Sequence, residues 1–440
     1  MIVNIIGAGL AGCECAYILA KNNIKVRLYE MKPKYKSEAH VSDNFAELVC
    51  SNSLKSEDIT NACGLLKKEM QTLGSLFVES AYESKVPAGQ ALAVDRDKFS
   101  EIITSKIKKN ENIEIIYEKI DNISTLDGII VIATGPLTSN DLLKNIKEKI
   151  GDESLYFYDA AAPIVSADSI DINIAYSLDR YSKGDGDYLN LPMNKEQYEH
   201  FYTELINAKQ ADRHEFDKLI LFEGCMPVEE MAKRGEKTLL FGPLKPVGLD
   251  NPRTGEKMHA VVQLRAENEN RTLYNLVGFQ TSLKFSEQSR VFKLIPGLEN
   301  AEFLRYGVMH KNSYINGSKI LDNNFCMKLD NNIYFAGQIS GVEGYVESAA
   351  SGMMVAISII GRLNNKEINF PSTTMLGSLS KYISTENKDF QPMNANFGII
   401  EPLDVNYKIR DKKIKYGMYS ERAMEDINSF KEGISDFYEE

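Results

Sequence analysis

Cys50 and Cys225 are the residues best placed for covalent chemistry. Cys50 lies in FAELVCSNSL (45–54) and Cys225 in FEGCMP (222–227), both loop-like stretches of small and polar residues. The glycine before Cys225 and the proline two positions after it take it out of any helix interior. A thiol reacts as its thiolate, so each cysteine needs a nearby cation or a helix N-terminus to be ionised near neutral pH. Glu223 pushes Cys225 the other way unless it is paired. Two readings stay open for each: reactive thiol or small packing residue. Cys13, Cys15, Cys63 and Cys326 read as packing residues. No CxxC or Cys/His ligand spacing occurs, so no metal site is expected.

A reactive thiol needs a scaffold that holds its reactant. Residues 2–12 read IVNIIGAGLAG, an apolar strand running into Gly7, Gly9 and Gly12. A helical stretch to about residue 20 and a second strand at 26–29 follow, ending in Glu30, 18 residues beyond the last glycine. This is the βαβ unit of an adenine-dinucleotide site. Gly7 allows the tight turn, Gly9 lets the backbone approach a pyrophosphate, and Gly12 lets helix and strand pack. Ala8, Leu10 and Ala11 complete the loop, with the anion facing the helix N-terminus. Glu30 is placed to accept from a ribose hydroxyl.

Two more strand-to-glycine units support one interrupted FAD domain whose last strand arrives late. GIIVIATGP (128–136) ends a buried strand at Gly135. IYFAGQISGVEGY (333–345) feeds Gly337, Gln338, Gly341, Gly344 and Tyr345 into a small-residue helix over 346–360, a loop suited to the flavin ribityl chain and pyrimidine edge. There is one dinucleotide fingerprint and no CxxxxC. FAD is therefore read as the resident cofactor, and NAD(P)H as a visitor with no site of its own in the sequence.

The expected fold class is α/β: a Rossmann-like FAD-binding domain with a parallel sheet, formed by residues 1–160 and 325–440, interrupted by an α+β insertion domain at 161–324. The insertion is richer in proline, tyrosine and charge, with strand-like runs at 218–222, 238–241 and 260–264. The last seventy-odd residues read as a helical closing region. Within it, KIRDKKIK (408–415) is either a solvated helix face or a phosphate-contacting edge.

At 440 residues and 43% hydrophobic composition, the chain can bury a sizeable core. Its net charge of −11 argues against a generic nucleic-acid coat but allows a local basic patch. The N-terminus reads as a strand rather than a leader. No apolar run approaches the ~20 residues that span a membrane. A cytoplasmic location without membrane contact is expected.

The longer strings resemble one family. FAELVCSNSL, GLLKKEMQTLGSL (64–76), VPAGQALAVDR (86–96), ATGPLTS (133–139), FEGCMP, FGPLKPVGL (241–249), VGFQT (277–281), RYGVMH (305–310), FAGQISGVEGYVESAASG (335–352) and PMNANFG (392–398) are similar to the TrmFO family of folate- and FAD-dependent tRNA uracil-5-methyltransferases. The resemblance runs from the first strand to the C-terminal tail. It implies that methylenetetrahydrofolate gives one carbon to reduced FAD, which passes it to C5 of a uridine in the tRNA T-loop, with NAD(P)H as reductant. Members acting on ribosomal RNA uridines leave that target open as well.

The resemblance also assigns roles. Cys225 matches the nucleophile that adds to uracil C6 and makes C5 an enolate carbon. Cys50 matches a second functional cysteine, for proton transfer or thiol protection. His310 is the candidate to stack on the pterin. Lys284 and Arg290, after the strand-like VGFQT run, are candidates to neutralise folate carboxylates. Leu191 stands where the family often has cysteine, so that position reads as structural. Lys32, Lys34, Lys36, Lys55, Lys67 and Lys68 flank the Cys50 segment and are expected to form an RNA-facing patch. Three rivals remain: the longer wobble-uridine flavoprotein, whose C-terminal partner-binding region this chain is expected to lack, a simple flavin NAD(P)H oxidoreductase, and a non-catalytic flavin-bearing RNA chaperone.

Overall fold

A computed structural model describes residues 2–37, 39–151, 154–180, 186–211, 226–388, 390–405 and 409–439, without the side chains of 154–159, 310 and 311. Cys225 and the run 218–222 lie outside the described residues.

The opening strand, Ile2–Ile6, is central to a six-stranded sheet. Lys25–Tyr29 and Ile129–Ile132 flank it in parallel. Ile113–Ile116 extends one side in parallel. Asp330–Phe335 extends the other in parallel, and Cys326–Met327 closes that edge antiparallel. Such a sheet is covered on both faces, so its central strands are mostly apolar. Ile129–Ile132 is buried at every position. The polar exception in the first strand, Asn4, donates to the Asp127 carbonyl at 2.8 Å.

Two helices begin just beyond the carboxyl ends of these strands, where ligands of parallel sheets bind. They are Leu10–Lys21 and Tyr345–Leu363. Gly352 lets them touch: a Cβ there would sit 2.2 Å from the Ala11 carbonyl oxygen. Tyr345–Leu363 is long and apolar enough to cross a membrane by composition, a run the sequence reading passed over. Yet 83% of its apolar window is buried inside the fold.

A second six-stranded sheet has only antiparallel neighbours. Its order is Tyr176–Ser177, Tyr188–Met193, Ala260–Ala266, Leu273–Leu276, Ile164–Ser166 and Phe303–Arg305. It carries its own core, from Ala162 to Ala301, in which Leu191 is fully buried. Tyr314, Ile315, Ile320 and Leu321 return to the first core. An antiparallel ribbon of Ser154–Ala160 and Met309–Ile315 spans the two.

Two local expectations change. The run 238–241 is a short helix, Thr238–Phe241, because four residues carry no diagnostic period. Turn bonds wind it: Thr238 N–H to the Gly235 carbonyl at 2.9 Å and Leu244 N–H to the Leu239 carbonyl at 2.9 Å. VGFQT is not a strand either. The strand stops at Leu276, and Gly278 turns at φ +78, where a Cβ would meet Pro243 at 2.5 Å.

Candidate active site

The glycine loop is held from below and open above. Gly7 has φ +101, and a Cβ there would meet the Ala133 carbonyl oxygen at 2.7 Å. A Cβ at Gly12 would lie 1.9 Å from the Gly7 carbonyl oxygen. Gly9 differs: nothing lies within 4 Å of its Cβ position. Gly9 caps the first helix without a side-chain hydrogen bond, so first-turn N–H groups face open space. That cradle fits a pyrophosphate.

Glu30 is 6% exposed and lines the same cleft. One carboxylate oxygen accepts from Ala8 N–H and the other from Lys32 N–H, both at 2.9 Å. A carboxylate has about four acceptor positions, so capacity remains for a ribose hydroxyl. The cleft encloses about 1150 Å³ of non-atom space, part of it open to solvent. Ala8, Leu10, Ala11, Gly135, Gly337, Gln338 and Tyr345 line it, and so do His40, Glu47 and Thr138. Gly341 and Gly344 shape the loop behind it. Gly341 abuts the Phe390 ring, and Gly344 at φ +115 starts the long helix.

Cys50 comes to this cleft through Tyr345. The Tyr345 hydroxyl accepts from Cys50 N–H at 2.7 Å and Ser51 N–H at 3.3 Å, and lies 2.9 Å from Cys50 Sγ. Two backbone donors occupy its lone pairs, which leaves its own proton for the sulfur. Burial pushes the Tyr345 hydroxyl well above the usual phenol range, so it stays a donor. The segment before Cys50 docks on the glycine loop: Ala46 N–H donates to the Ala8 carbonyl at 2.9 Å. The structure therefore joins the Cys50 string and the GVEGY string at one point. Cys13, Cys15, Cys63 and Cys326 are buried, and burial pushes the Cys63 and Cys326 thiols up to about 11.

The other expected residues sit on the ribbon and in the second region. His310 is on the ribbon, its backbone paired with Asp159. Lys284 caps the helix Phe285–Phe292. Arg290, on that helix, is engaged with Glu287 at 2.8 Å and with Glu204. The expected lysine patch does not form. Lys32 donates to the Asn44 carbonyl and faces Glu47 at 3.7 Å. Lys36 pairs with Asp43 at 2.6 Å and Lys55 with Glu347 at 3.1 Å. Lys67 is buried and donates to the Leu54 carbonyl at 2.7 Å. Buried acceptors claim Lys32, Lys55 and Lys67, and exposed Asp43 neutralises Lys36. Lys34, over the Tyr35 ring, and Lys68, bonded to Gln71, are exposed.

Sequence reasoning missed a polar cluster behind Cys50. Arg96 grips Glu267 with two nitrogens and donates to the Leu48 carbonyl at 2.9 Å. Arg265 donates to Asn52 at 2.8 Å and to Ser51 at 2.9 Å. The signal was present: Gln263, Arg265 and Glu267 alternate through an apolar strand, marking one face as polar.

A parallel sheet with a glycine loop, an open helix N-terminus and a long cleft across the strand ends defines an FAD-type dinucleotide-binding protein. The glucose inhibited division protein A family matches residues 2–367. Two crystal forms of Aquifex aeolicus GidA superpose with TM-scores of 0.69 and 0.70 at 15% identity. They cover 97% of this chain and 73% and 75% of theirs, a likeness of fold alone. The methylenetetrahydrofolate--tRNA-(uracil-5-)-methyltransferase TrmFO of Fusobacterium nucleatum is 57% identical over 433 residues, covering 98% of this chain and 99% of that one. TrmFO of Acetivibrio thermocellus is 55% identical over 437 residues, covering 99% of each. The chain belongs to the TrmFO family, within the wider glucose inhibited division protein A group.

Proposed function

We propose that this chain methylates C5 of a uridine in tRNA, the T-loop uridine that becomes ribothymidine, with methylenetetrahydrofolate as carbon donor and NAD(P)H as reductant. The observation that carries the reading is full-length kinship with the named tRNA methyltransferases, joined to a dinucleotide cleft with Cys50 at its edge. FAD, when bound, supplies the one-carbon and hydride relay. The residues that would hold it are the loop from Gly7 to Gly12, Glu30, Gly135, and Gly337 with Gln338. We divide the chain as the two cores suggest, into an FAD-binding part and an insertion from about residue 161.

In this reading Cys225 adds to uracil C6, and the electron pair shifts to C5, which forms the new carbon bond. A base then removes the C5 proton as the new carbon's bond to its carrier breaks, and a hydride drawn from NAD(P)H reduces the resulting methylene to methyl while the sulfur leaves from C6. Cys50, hydrogen-bonded to Tyr345, serves the proton transfer. His310 stacks on the pterin and Lys284 meets a folate carboxylate. Arg290, engaged with Glu287 and Glu204, is the other folate candidate. The RNA backbone meets Arg410, Lys412 and Lys413, exposed at the start of the helix Lys412–Ile434. That helix reaches the cleft through Phe397, stacked on Tyr416 at 4.4 Å, and Ala395, whose N–H donates to Glu347 at 2.9 Å. The proposed location is the cytoplasm, with the RNA.

The test uses flavin-loaded protein, NADH, labelled methylenetetrahydrofolate and unmodified tRNA or ribosomal RNA transcripts. Label in 5-methyluridine of the tRNA is expected, and none with Cys225→Ala. Label confined to ribosomal RNA would overturn the substrate, and full activity of Cys225→Ala would overturn the nucleophile.

A further inference from the structure

We propose that Arg265, together with Glu267 acting through Arg96, positions Cys50 from the other core. The inference rests on the role given to Cys50 above. Arg265 lies on the strand Ala260–Ala266 of the second sheet and Glu267 just past its end. Two positions apart, they reach the same chain turn, Arg265 directly and Glu267 through Arg96. Arg265 is 6% exposed and Glu267 is 3% exposed.

The turn is gripped on both sides of the thiol. Before Cys50, the Leu48 carbonyl accepts from Arg96 Nη1 at 2.9 Å. After it, Ser51 Oγ and Asn52 Oδ1 accept from the Arg265 fork at 2.9 and 2.8 Å. Asn52 is fully buried, and its amide nitrogen donates to the Val94 and Ala266 carbonyls, each at 3.0 Å. One side chain thus ties the Cys50 turn to a strand of each region.

Arg96, Arg265 and Glu267 do not line the dinucleotide cleft. They act on the site only through the turn. The N–H groups of Cys50 and Ser51 set where the Tyr345 hydroxyl sits, and that hydroxyl meets the sulfur. If Arg265 releases Ser51 and Asn52, those donors shift and the sulfur loses its fixed partner. A purely structural arginine would change stability and leave the thiol's chemistry alone.

The experiment reads Cys50 directly. Flavin-loaded wild-type, Arg265→Met and Arg265→Lys proteins are alkylated with iodoacetamide across a pH series, and the Cys50 peptide is followed by mass spectrometry. With Arg265→Met, flavin content stays at the wild-type ratio, while the Cys50 alkylation rate changes by ~5-fold or more and its pH profile moves. Turnover falls by about 10-fold, with KM for tRNA within about 2-fold, as for lost positioning. Arg265→Lys keeps the charge without the fork and falls between. A wild-type alkylation profile in Arg265→Met overturns the proposal. Should Arg265→Met not fold, Ser51→Ala removes one grip at a partly exposed position: a smaller shift in the same direction supports the role, and none overturns it. If the profile moves yet Cys50→Ala retains full turnover, the role of Cys50 fails while its positioning by Arg265 stands.

Discussion

The dinucleotide cleft and the junction behind Cys50 solve one problem, the exact placement of backbone, with opposite means. The cleft is built by omission. Gly7 and Gly12 are glycines because the protein's own carbonyls occupy the Cβ positions, whereas Gly9 and Gly135 have nothing within 4 Å. The first pair serves the fold, Gly9 leaves room for a ligand, and Gly135 leaves room while also turning at φ +67. The junction is built by addition, with two arginine forks, a buried asparagine and a buried carboxylate drawn together across the boundary between two cores. Glycine positioning resists loss of side chains but not gain. The junction has the reverse weakness.

The largest effect should come from violating the first rule. Gly12→Ala places a Cβ 1.9 Å from a backbone oxygen that has no rotamer to yield. The helix must lift from the strand, so purified protein should lack flavin absorbance and melt early. Gly9→Ala is the contrast. It should melt within about 1 kcal/mol of wild type without flavin, because the protein leaves it space, yet bind FAD more weakly. If Gly9→Ala proved as unstable as Gly12→Ala, the division of labour among these glycines would be wrong.

The junction is broken by subtraction. Arg96→Met leaves Glu267 buried without its partner, a change that costs about 3–5 kcal/mol in comparable buried pairs. Urea unfolding should show that loss, while flavin binding in the folded fraction stays near wild type because Arg96 does not line the cleft. Loss of flavin out of proportion to loss of fold would show that the two regions are not separable.

This contrast also explains what could be read without a structure. The glycine loop, its strand and Glu30 lie within one local stretch, where spacing alone carries the geometry. Cys50 was found by its string, but its partner was not, because Tyr345 is 295 positions away. Arg96 and Glu267 are separated by 171 positions, and Arg265 and Ser51 by 214. No periodicity links such pairs. The lysines near Cys50 misled for a related reason. Proximity in sequence suggested an outward patch, while long-range acceptors such as Glu347 had already claimed the charge. The run 238–241 failed on length, since four apolar-rich residues suit a strand or a helix turn equally.

A smaller effect tests whether a buried carboxylate needs an arginine at all. Glu69, in the first core, is fully buried and among the described residues has only backbone partners, the N–H groups of Met375 and Leu376 at 2.8 and 2.9 Å. It caps the helix Met375–Ser384 as Glu267 braces the junction, but without a cation. Burial pushes its carboxyl up to about 8, against the pull of those two N–H groups. The folded state therefore holds this proton more tightly than the unfolded chain does. Its stabilising contribution is complete below the ordinary carboxylate range and is lost as pH rises through about 8. Glu14, raised to about 7 chiefly by burial, acts in the same direction. The urea midpoint of wild-type protein should thus decline from pH 5 to pH 9, and Glu69→Gln, which cannot ionise, should decline less steeply. An equally steep decline in the variant would mean that the helix N-terminus alone keeps Glu69 ionised, and that the arginines at the junction are there to place Cys50 rather than to neutralise a buried charge.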